Sequence, residues 1–142
     1  MAKVKAVCIS EKKGTRKHQV PAIEIKKKEG IVGDSHGDDM KRRISLLGDE
    51  SVDKLRGLMP ELKAGDFAEN ILTEGLTLYE LPIGTRLKIG TTELEVTQIG
   101  KECHQGCEIR NITGDCVMPR EGIFAEVITE GQIKPGDTIE VE

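Results

Sequence analysis

Aromatic side chains are nearly missing from this chain. They make up 2% of its 142 residues, with one Tyr, two Phe and no Trp. A core must therefore be built from Val, Ile, Leu and Ala. The scarcity also argues against single-stranded nucleic-acid binding, which relies on aromatic platforms for base stacking. A formal net charge of -4 points the same way. No apolar run approaches the roughly 18 residues of a membrane span. The opening "MAKVKAVCISEKKGTRKHQ" is basic but has no long apolar run and no small-residue cleavage site, so it does not read as a signal peptide. Without export, the four cysteines are expected to stay as thiols in a reducing cytoplasm rather than pair as disulfides. Internal repeats, low-complexity tracts and linkers are also lacking. No glycine-rich nucleotide or flavin fingerprint stands out.

What is present suits a single folded unit over residues 1–142. Hydrophobic residues at 37% and charged residues at 32% are enough for a core and a hydrated surface. "KVKAVCIS" alternates as a strand, with Val4, Ala6 and Cys8 divided between its faces. "EKKGTRKHQVP" reads as a charged loop, "AIEIKKKEGIVGD" as a short strand entering a glycine-rich turn, and "RRISLLG" as a buried strand. "DESVDKLRGLMPEL" is the one convincing helix, with Asp49 or Ser51 as cap, Val52, Leu55 and Leu58 on one side, and Pro60 as its stop. "RLKIGTTELEVTQI" predicts a hairpin turning near Gly90 and Thr91. "GIFAEVITEGQIKPGDTIEVE" predicts two short strands around a Pro-Gly-Asp turn. Short strands, regular turns and one or two helices indicate a mainly β, α+β domain, barrel-like and predominantly antiparallel.

The chemistry concentrates in "IGKECHQGCEIR", Ile99 to Arg110. Cys103 and Cys107 are separated by three residues, His104 lies between them, and Cys116 follows nine residues on. Structural zinc normally takes two close pairs of ligands, because four bonds must converge tetrahedrally, and the second pair is missing. Nor is the spacing that of a thioredoxin-like pair. A single functional thiolate fits better at Cys103: Lys101, His104 and Arg110 supply nearby positive charge, which favours ionised sulfur. A small buried hydrophobe is the competing reading of any free cysteine, and it is preferred for Cys8.

The segments "GIVGDSHG", "RRISLL", "GDFAENILTEGL", "LPIGTRLKIG", "TQIGKECH", "REGIFAEVI" and "GQIKPGDTIEV" follow one another in this order. Together they resemble the MOSC domain, named for the carboxy-terminal part of molybdenum cofactor sulfurase, from about Lys3 to Val141. The resemblance implies a β-rich barrel-like fold, and it matches Cys103 to the family's cysteine. That cysteine is associated with persulfide sulfur or with ligation of molybdenum in bound molybdenum cofactor (molybdopterin). Either chemistry needs an accessible thiolate, a soft ligand suited to a thiophilic metal.

On that resemblance the flanking residues acquire roles. Arg42 and Arg43 would clamp the cofactor phosphate. Asn70 would meet a heterocycle edge or pin a loop, and Glu69 would assist either role. Asp34 and His36 in "GDSHG" would line the same cavity, His36 as a proton donor near neutral pH. His18 is assigned to the surface. The chain departs from the common family pattern at Glu102, where proline often precedes the cysteine, and at Ser35, where a basic residue is frequent. Cys107 and Cys116 look like additions found in a subset. Pyridoxal phosphate is not expected, since no lysine sits in a recognisable motif for it.

The function so implied is a stand-alone cytoplasmic protein that stores, delivers or sulfurates molybdenum cofactor through Cys103. A cysteine desulfurase or a molybdoenzyme would be its partner, with neither nucleic acid nor membrane involved. If the chain is itself an enzyme, the implied reactions are sulfur transfer or molybdenum-dependent reduction of N-hydroxylated compounds. A different class remains open: a structural or zinc-binding module using Cys103, His104, Cys107 and Cys116.

Overall fold

A computed structural model describes residues 2–9, 18–27, 30–32, 43–57, 62–64, 69–99 and 122–142, with backbone alone at Arg43 and Leu55. The elements run β1 (Lys3–Ile9), β2 (His18–Val20), β3 (Ile23–Lys26), β4 (Gly30–Ile31), β5 (Arg43–Gly48), α1 (Asp49–Arg56), β6 (Ile71–Glu74), a 3-10 turn (Leu78–Glu80), β7 (Arg86–Ile89), β8 (Thr92–Ile99), β9 (Ile123–Thr129), β10 (Gly131–Ile133) and β11 (Ile139–Val141). Eight strands form one sheet in the order β11-β7-β8-β9-β5-β6-β1-β2, and β10-β3-β4 form a second. All pairings are antiparallel except β5 with β6.

The parallel pair needs a crossover, and α1 lies in it. This helix carries Asp49 and Glu50 in its first turn and Lys54 and Arg56 in its last, complementing the helix dipole at both ends. It stops at Arg56, with Gly57 in a turn, before the Pro60 that the sequence suggested as its end. Glycine's poor helix propensity accounts for the earlier stop.

The large sheet curls on itself. Just before β11, Thr138 bridges Lys3. Around that bridge the amide of Val4 donates to Asp137 O at 2.9 Å, Gly136 to Val4 O at 2.8 Å and Ile139 to Ala2 O at 2.9 Å. The ladder of named strands is nevertheless open, so "barrel-like" holds only loosely. The α+β class stands, with α1 as the α-helix among the described residues.

Aliphatic side chains fill the core, as the lack of aromatics requires. Inside the curl, Val4, Val7, Ile44, Leu46, Ile71, Leu94 and Ile123 meet Ile23, Ile25, Ile31 and Ile133 of the small sheet. A second cluster joins Ala6, Cys8, Leu47, Leu72 and Phe124 to Val52 of α1, with Leu62 and Ala64. The pairing of β1 with β6 shifts register between Val4 and Ala6. That shift sends Val4 to the first cluster and Ala6 and Cys8 to the second, dividing them between faces as the sequence suggested. Two further differences concern short strands. The "charged loop" ends in β2, and the last segment forms three strands rather than two, because β10 leaves the large sheet to join the small one.

Candidate functional site

Cross-strand register organises the region to which the predicted residues attach. One row runs Ile99, Ile123, Leu46, Ile71, Val7 across β8, β9, β5, β6 and β1. The neighbouring row contains Gln98, Phe124 and Ser45, and it includes Cys8 beyond the start of β6. Asn70, immediately before β6, occupies the gap between Ser45 and Cys8. Its amide donates to Ser45 O at 3.0 Å, and its carbonyl accepts from the Cys8 amide at 2.7 Å.

The Asn70 side chain repeats the linkage. Oδ1 accepts from the Ser45 amide at 3.1 Å and from Ser45 Oγ at 3.0 Å. Nδ2 donates to Cys8 O at 3.2 Å, and Ser45 Oγ in turn accepts from the Asn70 amide at 3.0 Å. A carboxamide can do this because it carries an acceptor and donors on one planar group. Asn70 is completely buried and Ser45 nearly so. Buried polar groups must find partners, and here they find them in the backbone of strands on either side.

Glu69 is also completely buried. A carboxylate removed from water needs hydrogen bonds or a countercharge to remain ionised, and Glu69 does have interacting partners. Arg43 opens β5, its Cα opposite Glu126 of β9. Asp34, His36, Arg42 and Cys103 lie outside the described residues, as do Lys101, His104, Cys107, Arg110 and Cys116. The attachment points of their segments are nonetheless defined. Residues 33–42 lead into β5, residues 65–68 lead toward β6, and residues 100–121 join β8 to β9. These four strands are consecutive in the sheet, in the order β8-β9-β5-β6.

Ser45 is the participant that the sequence reading passed over. Its signal was a lone hydroxyl within the apolar run "ISLL", a polar group that burial obliges to find a partner. Cys8 is not joined in a disulfide, and it is fully buried in the second cluster. Among the described residues, no three His, Cys, Asp or Glu side chains are grouped so as to hold a metal. Among the same residues, no helix is long and apolar enough to cross a membrane.

Comparison with known proteins adds the family context. The MOSC domain model matches residues 32–140. Among solved structures, the YuaD protein of Bacillus subtilis superposes with a TM-score of 0.79 at 21% identity, covering 99% of this chain and 94% of that one. YiiM from Geobacillus stearothermophilus gives 0.74 at 19% identity, covering 100% of this chain and 75% of its own. YiiM from Escherichia coli gives 0.66 at 18%, with coverages of 100% and 70%. At such identities these likenesses speak to the fold. No curated protein matches the chain.

Proposed function

Because this chain belongs to the MOSC domain family, a family associated with molybdenum cofactor, we propose that it binds and handles that cofactor through Cys103. The observation that carries this reading is the family match itself, whose span of residues 32–140 takes in every residue to which a role was assigned.

The donor set suits the group. Cys103 offers a soft sulfur ligand. Arg42 and Arg43 offer planar, permanently charged donors for a phosphate. Asp34 and His36 offer a carboxylate and an imidazole, the latter able to hold or release a proton near neutral pH. Support from the structure comes at the entrance to β6, where the buried Glu69 and the Ser45–Asn70 network make the interior polar. The polar groups of that network are spent on one another and on strand backbone, so they would hold the strands that carry the site rather than meet the heterocycle themselves.

When bound, the cofactor supplies a thiophilic metal. The chain's own part would be to keep the Cys103 sulfur ionised, with Lys101, His104 and Arg110 close to it in sequence, and to hold the anionic pterin. In a sulfur-delivery role, the Cys103 thiolate attacks the outer sulfur of a donor persulfide such as that of a cysteine desulfurase. A new S–S bond forms on Cys103 while the donor sulfur departs as a thiolate. Storage, delivery and sulfur transfer share this requirement for one accessible thiolate.

Anaerobic purification of the full chain, followed by molybdenum, pterin and zinc analysis and by mass measurement of the thiols, tests the reading. Molybdenum with pterin, or an added sulfur on Cys103, is the expected result. Both should disappear in Cys103→Ser while the fold persists. Stoichiometric zinc without molybdenum, pterin or extra sulfur would overturn it in favour of a zinc module.

A further inference from the structure

The Ser45–Asn70 network has two properties that bear on the proposed site. It is redundant: side chain and backbone of Asn70 both bond to the same two neighbours, Ser45 and Cys8. It also stands where the β6 ladder begins, one residue after Glu69 and two residues into β5 from Arg43. The antiparallel β7–β8 pair is held in register by a tight turn at Gly90 and Thr91. The parallel β5–β6 pair has no such turn, since α1 and a long stretch of chain intervene. Its register must be set by contacts between the strands themselves.

We infer that Asn70 is a positioning residue: with Ser45 it locks β5, β6 and the end of β1 into one register, and so fixes Glu69 relative to the entrance of β5. The carboxamide acts on the backbone rather than on the ligand. This rests on the cofactor-binding reading above and assigns Asn70 its part in the same site. A protein whose site is assembled in only a fraction of molecules binds with affinity lowered by that fraction. Loosening the lock therefore weakens binding of an anionic pterin without removing any group that touches it.

Substitution of Asn70 by Asp separates positioning from contact. Ionised, the new carboxylate sets an oxygen against Cys8 O where Nδ2 had donated. Protonated, its hydroxyl can donate there while the other oxygen accepts from Ser45, so acidification restores the original pattern. Burial raises the pKa of such a carboxyl and brings the restoration within reach. Glu69 and Cys8 are titratable residues that adjoin or join this network, Cys8 through its backbone, so each variant is compared with the unaltered chain at the same pH.

The experiment measures retention of molybdenum cofactor, released from a molybdoenzyme and added anaerobically, together with amide hydrogen exchange at Cys8 and Asn70. The full chain and its Ser45→Ala, Ser45→Thr and Asn70→Asp variants are used, at temperatures where each is folded. At alkaline pH, Ser45→Ala and Asn70→Asp should lose affinity by roughly tenfold as the assembled fraction falls, with faster exchange. Ser45→Thr, which keeps the hydroxyl, should stay close to the unaltered chain. Asn70→Asp should recover on acidification. Weakened binding in Asn70→Asp at every pH, with unaltered binding in Ser45→Ala, would overturn the inference and make Asn70 a direct ligand. Should the unaltered chain retain no cofactor, the proposed function fails, and exchange alone judges the positional role: unchanged protection in both variants overturns it.

Discussion

Lys5 Nζ stands 2.6 Å from Asp49 Oδ2, tying the middle of β1 to the first residue of α1. From the other end of the helix Arg56 reaches back to Asp49 Oδ1 at 2.7 Å, and it also contacts Asp53. Asp49 is largely buried. One carboxylate thus fastens the crossover helix both to the sheet and to itself.

Acid should loosen this fastening. Burial pushes the Asp49 carboxyl up, but hydrogen bonds from Arg56 and Lys5, with their charges, outweigh it and hold the pKa below the usual carboxylate value. A pKa depressed on folding adds stability that is fully present above the unfolded value and is lost as pH falls through the folded one. Asp49→Asn should cost about 1–2 kcal/mol at neutral pH, and the cost should shrink toward strongly acid pH. Urea unfolding across that range checks it; a difference independent of pH would mean that the ionised carboxylate is not the stabilising species.

Thr73 should be improvable. Its hydroxyl is buried without a hydrogen-bond partner, on β6 opposite Val4. Replacing an unsatisfied buried hydroxyl with a methyl group of similar shape removes a desolvation cost, so Thr73→Val should gain about 1 kcal/mol. The urea midpoint should rise with an unchanged slope. A fall would show that the hydroxyl is satisfied.

Gly131 is where the chain passes from the large sheet to the small one. A Cβ there would come 2.9 Å from Thr92 Cγ2 and 3.3 Å from Thr91 Oγ1. Gly131→Ala should therefore cost about 1–3 kcal/mol through overpacking. Thr92→Ser removes the offending methyl but keeps the hydroxyl that donates to Ile89 O at 2.7 Å. The double variant should be more stable than the sum of the two single effects, and strict additivity would refute the steric account.

At the proposed site, Arg42→Ala should weaken cofactor binding by about 1.5–3 kcal/mol through loss of a charged phosphate partner. Equilibrium binding of the released cofactor provides the measurement. An affinity equal to that of the unaltered chain would remove Arg42 from the site.

These expectations rest on features of unequal visibility in the sequence. The β7–β8 hairpin could be read because its signals are local: alternation on both sides and Gly90, which adopts a φ of 58° at the turn. The helix was equally local, although Asp49 and Ser51, read as its candidate caps, lie inside it as its first and third residues. The parallel pairing of β5 with β6 was not legible, since nothing near Leu46 or Ile71 specifies a partner so far along the chain. The place where β1 shifts its register was hidden, because Val4, Ala6, Val7 and Cys8 are all apolar and none of them marks the break. For the site, "FAENI" drew attention to Glu69 and Asn70, but only coordinates could reveal that the amide serves Ser45 and Cys8.

The bridge between Lys3 and Thr138 carries a consequence for how the molecule is made. Its partners lie far apart in the sequence, so the curl cannot close until Thr138 has left the ribosome. Contacts of such long sequence separation slow folding and prolong the exposure of unpaired edges. A nascent chain halted before Thr138 would hold β1 between β2 and β6 but leave the curl unfastened at Lys3.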